Sequence, residues 1–225
     1  MRSFRIIRRP FFEKPVPGVD MANSCRKFFG VTGGGYFYTS LPMEEYDTYE
    51  RDTSYDKARC LIGRYEKTAS EFYPDFTHNE EIIRGLRCKR MSKFVQNILK
   101  SLDYDKIKQK RAVNFDFLES LLGGANRLHL SNRAGLFMYP FMTEHGTEMK
   151  RELISRKIYI PTLWPGVDEF SELNDFERRL IRDLVLLPID QRYDTEDMRY
   201  IARTVLQIKE KQNDYRCEQC DSAGN

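Results

Sequence analysis

The sequence predicts an α/β fold, and three observations carry that prediction. Stretches with apolar residues at helical spacing alternate with short aromatic or aliphatic runs, and Pro- and Gly-containing turns punctuate the changes. A chain of 225 residues, 40% of them hydrophobic and 13% aromatic, has apolar material for one large domain or two small ones. No internal repeat or low-complexity tract competes with this reading.

The elements follow in order. Phe11 to Asp20 (FFEKPVPGVD) holds two prolines and a glycine, which fix φ and remove amide donors, so it reads as an irregular connection. Val31-Thr-Gly-Gly-Gly35 is a turn that presents a short aromatic strand, Tyr36 to Leu41. From Glu44 to about Phe72, Tyr46, Tyr49, Ala58, Ile62, Tyr65 and Ala69 recur at helical spacing and predict one long or broken helix. Ser92 is placed to cap a helix from Lys93 to Leu102, and Asp103 to cap another from Tyr104 to Leu122, which Gly123-Gly124 ends. Gly135 to Met142 reads as a strand, Thr147 to Lys157 as a helix and Ile158 to Ile160 as a second strand. Together they predict a β-α-β unit whose helix lays Met149, Leu153 and Ile154 on a shared sheet. Asp175 to about Asp183 reads as a helix, Leu184 to Ile189 as a buried strand, and Thr195 with Glu196 and Asp197 opens a final helix reaching about Lys211. The expected organisation is a first part over 1–102, a small α/β domain over 103–211 and a disordered tail over 212–225.

Charge and cysteine usage exclude several classes of function. Lys and Arg total 37 against 34 Asp and Glu, a net charge of +3, far from the concentrated basic field of a nucleic-acid binder. Runs such as Leu184 to Leu187 are far shorter than the roughly 20 apolar residues of a membrane helix, so neither nucleic acid nor membrane is an expected partner. Five scattered cysteines, an odd number, do not form a secreted disulfide framework. MRSFRIIRR is basic but lacks the apolar core of a secretory signal, and Asn-x-Ser/Thr sequons are absent, so a cytoplasmic location is expected. Cys217-Glu-Gln-Cys220 has the spacing of half a zinc site, but the other half is missing and no metal is expected.

Gly33-Gly34-Gly35 lacks both the Gly-Lys-Ser/Thr ending of a P-loop and a Gly-x-Gly-x-x-Gly that opens a helix, so alone it signals a turn. Lys27, taken singly, reads as a solvated charge. Its surroundings change that judgement. Asn23-Ser-Cys-Arg-Lys-Phe-Phe-Gly-Val-Thr-Gly-Gly-Gly-Tyr-Phe-Tyr38 resembles the lysine-bearing segment of the DegT/DnrJ/StrS-type sugar aminotransferases, which use pyridoxal phosphate. The resemblance continues through Gly85-Leu-Arg-Cys-Lys-Arg-Met91 and Met138-Tyr-Pro-Phe141. It is clearest in Glu152-Leu-Ile-Ser-Arg-Lys-Ile-Tyr-Ile-Pro-Thr-Leu-Trp-Pro165 and Leu186-Leu-Pro-Ile-Asp-Gln-Arg-Tyr-Asp-Thr-Glu-Asp-Met198.

The resemblance implies the C-terminal part of a fold-type I transferase, the end of a large domain followed by a small α/β domain. It implies pyridoxal phosphate as cofactor, with Lys27 as its Schiff-base lysine and catalytic proton carrier, Ser24 as a hydrogen-bond donor to the phosphate and Arg26 as nearby positive charge. Trp164 and Pro165 stand where the family has an aromatic-Pro element near the substrate; Trp164 reads equally as a buried aromatic at a strand end. The implied reaction moves an amino group, from glutamate, to a nucleotide-linked keto-sugar. Gly33 departs from the family's Asp, and Arg87 or Cys88 from its Asn. The family's domain starts far upstream of its lysine, with the glycine-rich phosphate turn, the ring-stacking aromatic and the Asp that pairs with the pyridine nitrogen. Here 26 residues precede Lys27. The expectation is therefore a truncated member of doubtful independent activity, partnered by a second copy or by the missing domain. The alternative is a non-catalytic interaction module or degenerate homologue.

Overall fold

The computed structural model describes residues 7–8, 11–40, 42, 46–129, 137–161, 166–170 and 172–222, the side chains of 7–8, 168 and 213–222 excepted. Its contacts divide into two compact units, Met1–Tyr104 and Asp105–Asn225.

The first unit is built on a three-stranded sheet of β1 (Ile7–Arg8), β2 (Met21–Ser24) and β3 (Gly35–Tyr38), in that spatial order. β1 runs parallel to β2, and β2 pairs antiparallel with β3 in a register that sets Met21 opposite Tyr38 and Ser24 opposite Gly35. The glycines explain the close connection between β2 and β3. Gly34 has φ +89°, and a Cβ on Gly35 would lie 2.4 Å from the Asn23 carbonyl oxygen, so only hydrogen can face β2 there. Behind this hairpin the rings of Phe11, Phe12, Phe28, Phe29, Tyr36 and Tyr104 pack with centroids 4.6–6.3 Å apart.

The long helix expected over residues 44–72 is instead a 3-10 turn at Tyr46–Thr48 and a separate helix α1 (Tyr55–Glu66). Between them the chain is extended, because Asp52 donates its N–H to the Arg90 carbonyl and Arg90 returns one to Glu50. The buried stripe also differs: Lys57, Cys60 and Gly63 face inward, whereas Ile62 and Tyr65 are exposed. Lys57 is tolerated inside because its ammonium lies 2.5 and 2.7 Å from the Asp52 carboxylate oxygens. A second helix, α2 (Tyr73–Gly85), opens on a Pro in its first turn and was not visible as a periodic segment. In α3 (Lys93–Ser101) Ser92 is the expected cap, accepting from the Val95 N–H at 3.2 Å. The same hydroxyl is 2.7 Å from that of Ser54, which accepts from Thr32 at 2.8 Å, so three buried hydroxyls join the glycine turn to α1 and α3.

In the second unit α4 (Tyr104–Leu122), α5 (Gly146–Ser155) and α7 (Thr195–Ser222) enclose a two-stranded sheet, and α6 (Asp175–Asp183) leads into that sheet. α6 is closed at its start by a reciprocal capping box of Asn174 and Glu177. The sheet pairs β4 (Tyr139–Met142) antiparallel with β5 (Leu184–Leu187). Phe115, Leu118, Leu122, Tyr139, Phe141, Met149, Leu153, Val185, Leu187, Met198 and Val205 form one continuous core.

The β-α-β expectation is corrected here. Ile158 and Ile160 are buried but belong to no strand, and the partner of β4 is β5. The reason lies at the end of α5. Lys157 takes the left-handed conformation, φ 63°, with its N–H on the Ile154 carbonyl while the Ile158 N–H reaches back to Leu153 at 2.9 Å. This is a Schellman turn, and its accompanying apolar pair is Ile158 with Leu153. It turns the chain across the core instead of along a sheet. Ile154 correspondingly points outward, 45% exposed. Lys157→Gly removes the Cβ penalty of the left-handed turn and is expected to raise this unit's stability by about 0.5–1 kcal/mol, read as a higher urea midpoint at unchanged slope.

Two buried asparagines brace the unit. Asn126 donates to the Pro140 carbonyl (2.8 Å) and accepts from the Leu128 and Met142 amides (3.0 and 2.9 Å). Asn114 donates towards the carbonyls of Ile189, Asp190 and Tyr193, and Arg111, pushed down to about 10 by burial, donates to Gln191. The stretch after β5 is thereby fixed against α4. At its end Asp194 caps α7 by accepting from the Glu196 and Asp197 amides. With no Gly or Pro to stop it, α7 runs to Ser222, well past the expected end near Lys211.

Candidate functional site

Ser24, Arg26 and Lys27 lie in one turn. β2 ends at Ser24, the 3-10 turn Cys25–Lys27 follows, and the Cys25 N–H donates to the Gly34 carbonyl at 3.1 Å, which ties the turn to the glycine run. Cys25 points into the interior, where burial pushes its thiol up to about 11. Alternation then turns its neighbours outward. Ser24 and Arg26 are half-buried and Lys27 is exposed.

Trp164 and Pro165 lie outside the described residues, so their place near the turn is not part of this geometry. One further residue enters that the sequence did not single out. Glu80, on α2, forms an ion pair with the Arg26 guanidinium, 54 positions away in the chain. No local spacing marks such a partner, and the helix carrying it was not foreseen.

These contacts test the fit of a phosphorylated pyridine cofactor. The Arg26 charge is met by the Glu80 carboxylate, and a carboxylate beside an anion site opposes phosphate binding. The glycine run does not offer an open cradle, since a Cβ on Gly34 would lie 2.9 Å from Val95 and 3.0 Å from Met91. The space above that backbone is filled by side chains. A Cβ on Gly33 would lie 3.5 Å from an Asp52 carboxylate oxygen, so an acidic group from another segment stands beside this glycine and is engaged by Lys57. Lys27 is accessible to an aldehyde, but the described residues around it do not make a complete site for pyridoxal phosphate. No group of three His, Cys, Asp or Glu side chains able to hold a metal occurs among the described residues, and none of their helices is long and apolar enough to cross a membrane.

No family model matches the chain, and no curated protein matches it in sequence. Solved structures do match. The protein Spr1654 of Streptococcus pneumoniae, described as a sugar aminotransferase, aligns in its PLP form over 85% of this chain and 52% of its own, with 13% identity and a TM-score of 0.50. Its PMP form aligns over 85% and 53%, with 14% identity and a TM-score of 0.49. S. venezuelae DesV aligns over 88% and 53%, with 14% identity and a TM-score of 0.47. The chain spans about half the length of the solved structures it matches. The likeness to the PLP form of Spr1654 establishes the fold alone: an α/β arrangement shared with part of an aminotransferase.

Proposed function

We propose that this chain is an aminotransferase-like protein of the sugar aminotransferase lineage that does not, by itself, hold pyridoxal phosphate in a catalytic geometry. The ancestral reaction on this reading transfers an amino group from glutamate to a nucleotide-linked keto-sugar. The observation that carries the reading is the turn Ser24–Lys27 on a fold shared with half of an aminotransferase, with the lysine exposed and Arg26 held by Glu80. Lys27 is exposed, whereas a Schiff-base lysine is held in a pocket that keeps its amine neutral for attack on the aldehyde. Residues that stack on the pyridine ring and pair with its nitrogen would have to come from outside the described set, on this polypeptide or on a partner.

The test is borohydride reduction of the purified chain with pyridoxal phosphate, read by mass spectrometry of the modified peptide. Low, unsaturated labelling is expected at Lys27, abolished in Lys27→Ala, with no conversion of the cofactor on adding glutamate. Stoichiometric Lys27 labelling, with conversion of the bound cofactor by glutamate, would establish a self-sufficient transaminase and overturn the proposal. The second reading, a non-catalytic interaction module, is favoured by one observation: β3 is exposed along its whole length.

A further inference from the structure

We infer that α2 is a hinged lid on the Ser24–Lys27 turn, latched by the Glu80 carboxylate on Arg26 and released when a small oxyanion takes that carboxylate's place. A helix of 13 residues draws most of its stability from an apolar face packed on a core. α2 has no such face. None of its residues is buried, whereas α3 buries Val95 and Leu99. The side it turns inward consists of Asp75, Asn79, Glu80 and Ile83, all half-buried, and all but Ile83 are polar. Contacts of that kind break at little cost, which places the segment at the low end of local stability.

The chain is pinned before and after the helix, while the helix itself is held by a few polar contacts. At its start Phe72 fills the space beside Gly63 of α1, where a Cβ would lie 2.2 Å from the ring, so this end is the pivot. Past its end Leu86 to Lys89 are exposed, and the backbone is fixed again at Arg90, which pairs with Glu50 and Asp52. In between, Asn79 donates to the Lys57 carbonyl at 3.2 Å, Asp75 lies 3.1 Å from the largely exposed Arg59, and Phe76 meets the Arg64 guanidinium. These contacts tie α2 to α1. Glu80 instead reaches Arg26, the charge between Ser24 and Lys27. A guanidinium takes carboxylate and phosphate oxygens on the same fork of N–H donors, so a soluble oxyanion and Glu80 compete for one position. Whatever displaces Glu80 loosens α2, and by the same linkage loss of the Glu80 charge strengthens anion binding. This device rests on the proposed reading of the turn as the ligand-facing surface, yet none of its steps uses an imine at Lys27.

Hydrogen–deuterium exchange of the full chain, read by mass spectrometry, provides the test. Amides over 73–85 are expected to exchange about tenfold faster than those over 93–101, yet more slowly than an unprotected peptide. Inorganic phosphate or glutarate, each compared with chloride at the same ionic strength, is expected to speed 73–85 about fivefold and to leave 93–101 unchanged. The more effective of the two tells a phosphate ester from a carboxylate as the ligand group. Glu80→Gln is expected to give the same acceleration without added anion and to bind phosphate about fivefold more tightly by calorimetry, and Glu81→Gln, at an exposed neighbour, to do neither. Arg26→Gln should free the helix and abolish the effect of the anions. The wild-type titration stands by itself if a variant does not fold. Exchange over 73–85 as slow as over 93–101, or already at the unprotected rate, would overturn the lid. So would phosphate and glutarate acting no differently from chloride, or a Glu80→Gln helix as protected as the wild type. Absence of borohydride labelling at Lys27 changes none of these outcomes and bears on the proposed function alone.

Discussion

Phe141→Ala is expected to lower the stability of the Asp105–Asn225 unit by about 3–5 kcal/mol, with a fall in Tm of about 12–20 °C. Phe141 is fully buried in β4, opposite Val185 of β5, within the core that α4, α5 and α7 enclose. Truncation removes its transfer free energy and leaves a cavity. β4 and β5 are held together by ladder hydrogen bonds and cannot close over the space. A domain of this size is stable by only about 5–15 kcal/mol, so the loss is a large part of the whole. Urea denaturation followed by far-UV circular dichroism measures it. Tyr159→Ala, half-exposed beside the same core, is the control and should cost under about 1 kcal/mol. Equal effects at the two positions would mean that the helices are not packed on the sheet as described.

Gly146→Ala should cost about 2–3 kcal/mol although it adds a single methyl group. Gly146 is the first residue of α5, and a Cβ there would lie 2.5 Å from the backbone of Asp183 at the junction of α6 and β5. Backbone cannot swing aside as a side-chain tip can. The junction is held by further bonds from α5, Thr147 Oγ1 to the Arg182 carbonyl and Lys150 Nζ to that of Ile181, both 3.2 Å, so relief by separation would break them as well. Gly124→Ala is the matched comparison: nothing lies within 4 Å of its Cβ position, and the change should be close to neutral. Faster amide exchange over 183–185 in Gly146→Ala would locate the strain.

What could be read from the sequence was what is decided locally. The start of α3 is fixed by Ser92, α6 by residues flanking Asp175 and α7 by the acidic first turn around Thr195, and all three helices begin where the sequence places them. The missed features depend on distant groups. Lys157 has no side-chain feature that announces a left-handed turn; the burial of Ile158 against Leu153 imposes it, and with it goes the second strand of the expected β-α-β unit. α1 turns Lys57 inward and Tyr65 outward because Asp52 supplies a charge partner that periodicity cannot see. At the candidate site the short-range part was legible: Ser24, Arg26 and Lys27 share one turn beside the glycines. Glu80 was not, because an ion pair between residues so far apart leaves no trace in spacing.

The four hydrogen-bonding contacts of Asn126 also bear on how this chain can change length. Its amide carbonyl accepts from the Leu128 and Met142 amides, and its NH2 group donates to the Pro140 carbonyl and meets the Tyr139 hydroxyl, so one side chain ties Leu128 to three residues of β4. Between two points of a chain tied together, added flexible length raises the closure cost by only about 0.6 kcal/mol for each doubling. Evolution, or an engineer lengthening the chain ahead of β4, therefore has to leave Asn126 in place if β4 is to keep its register.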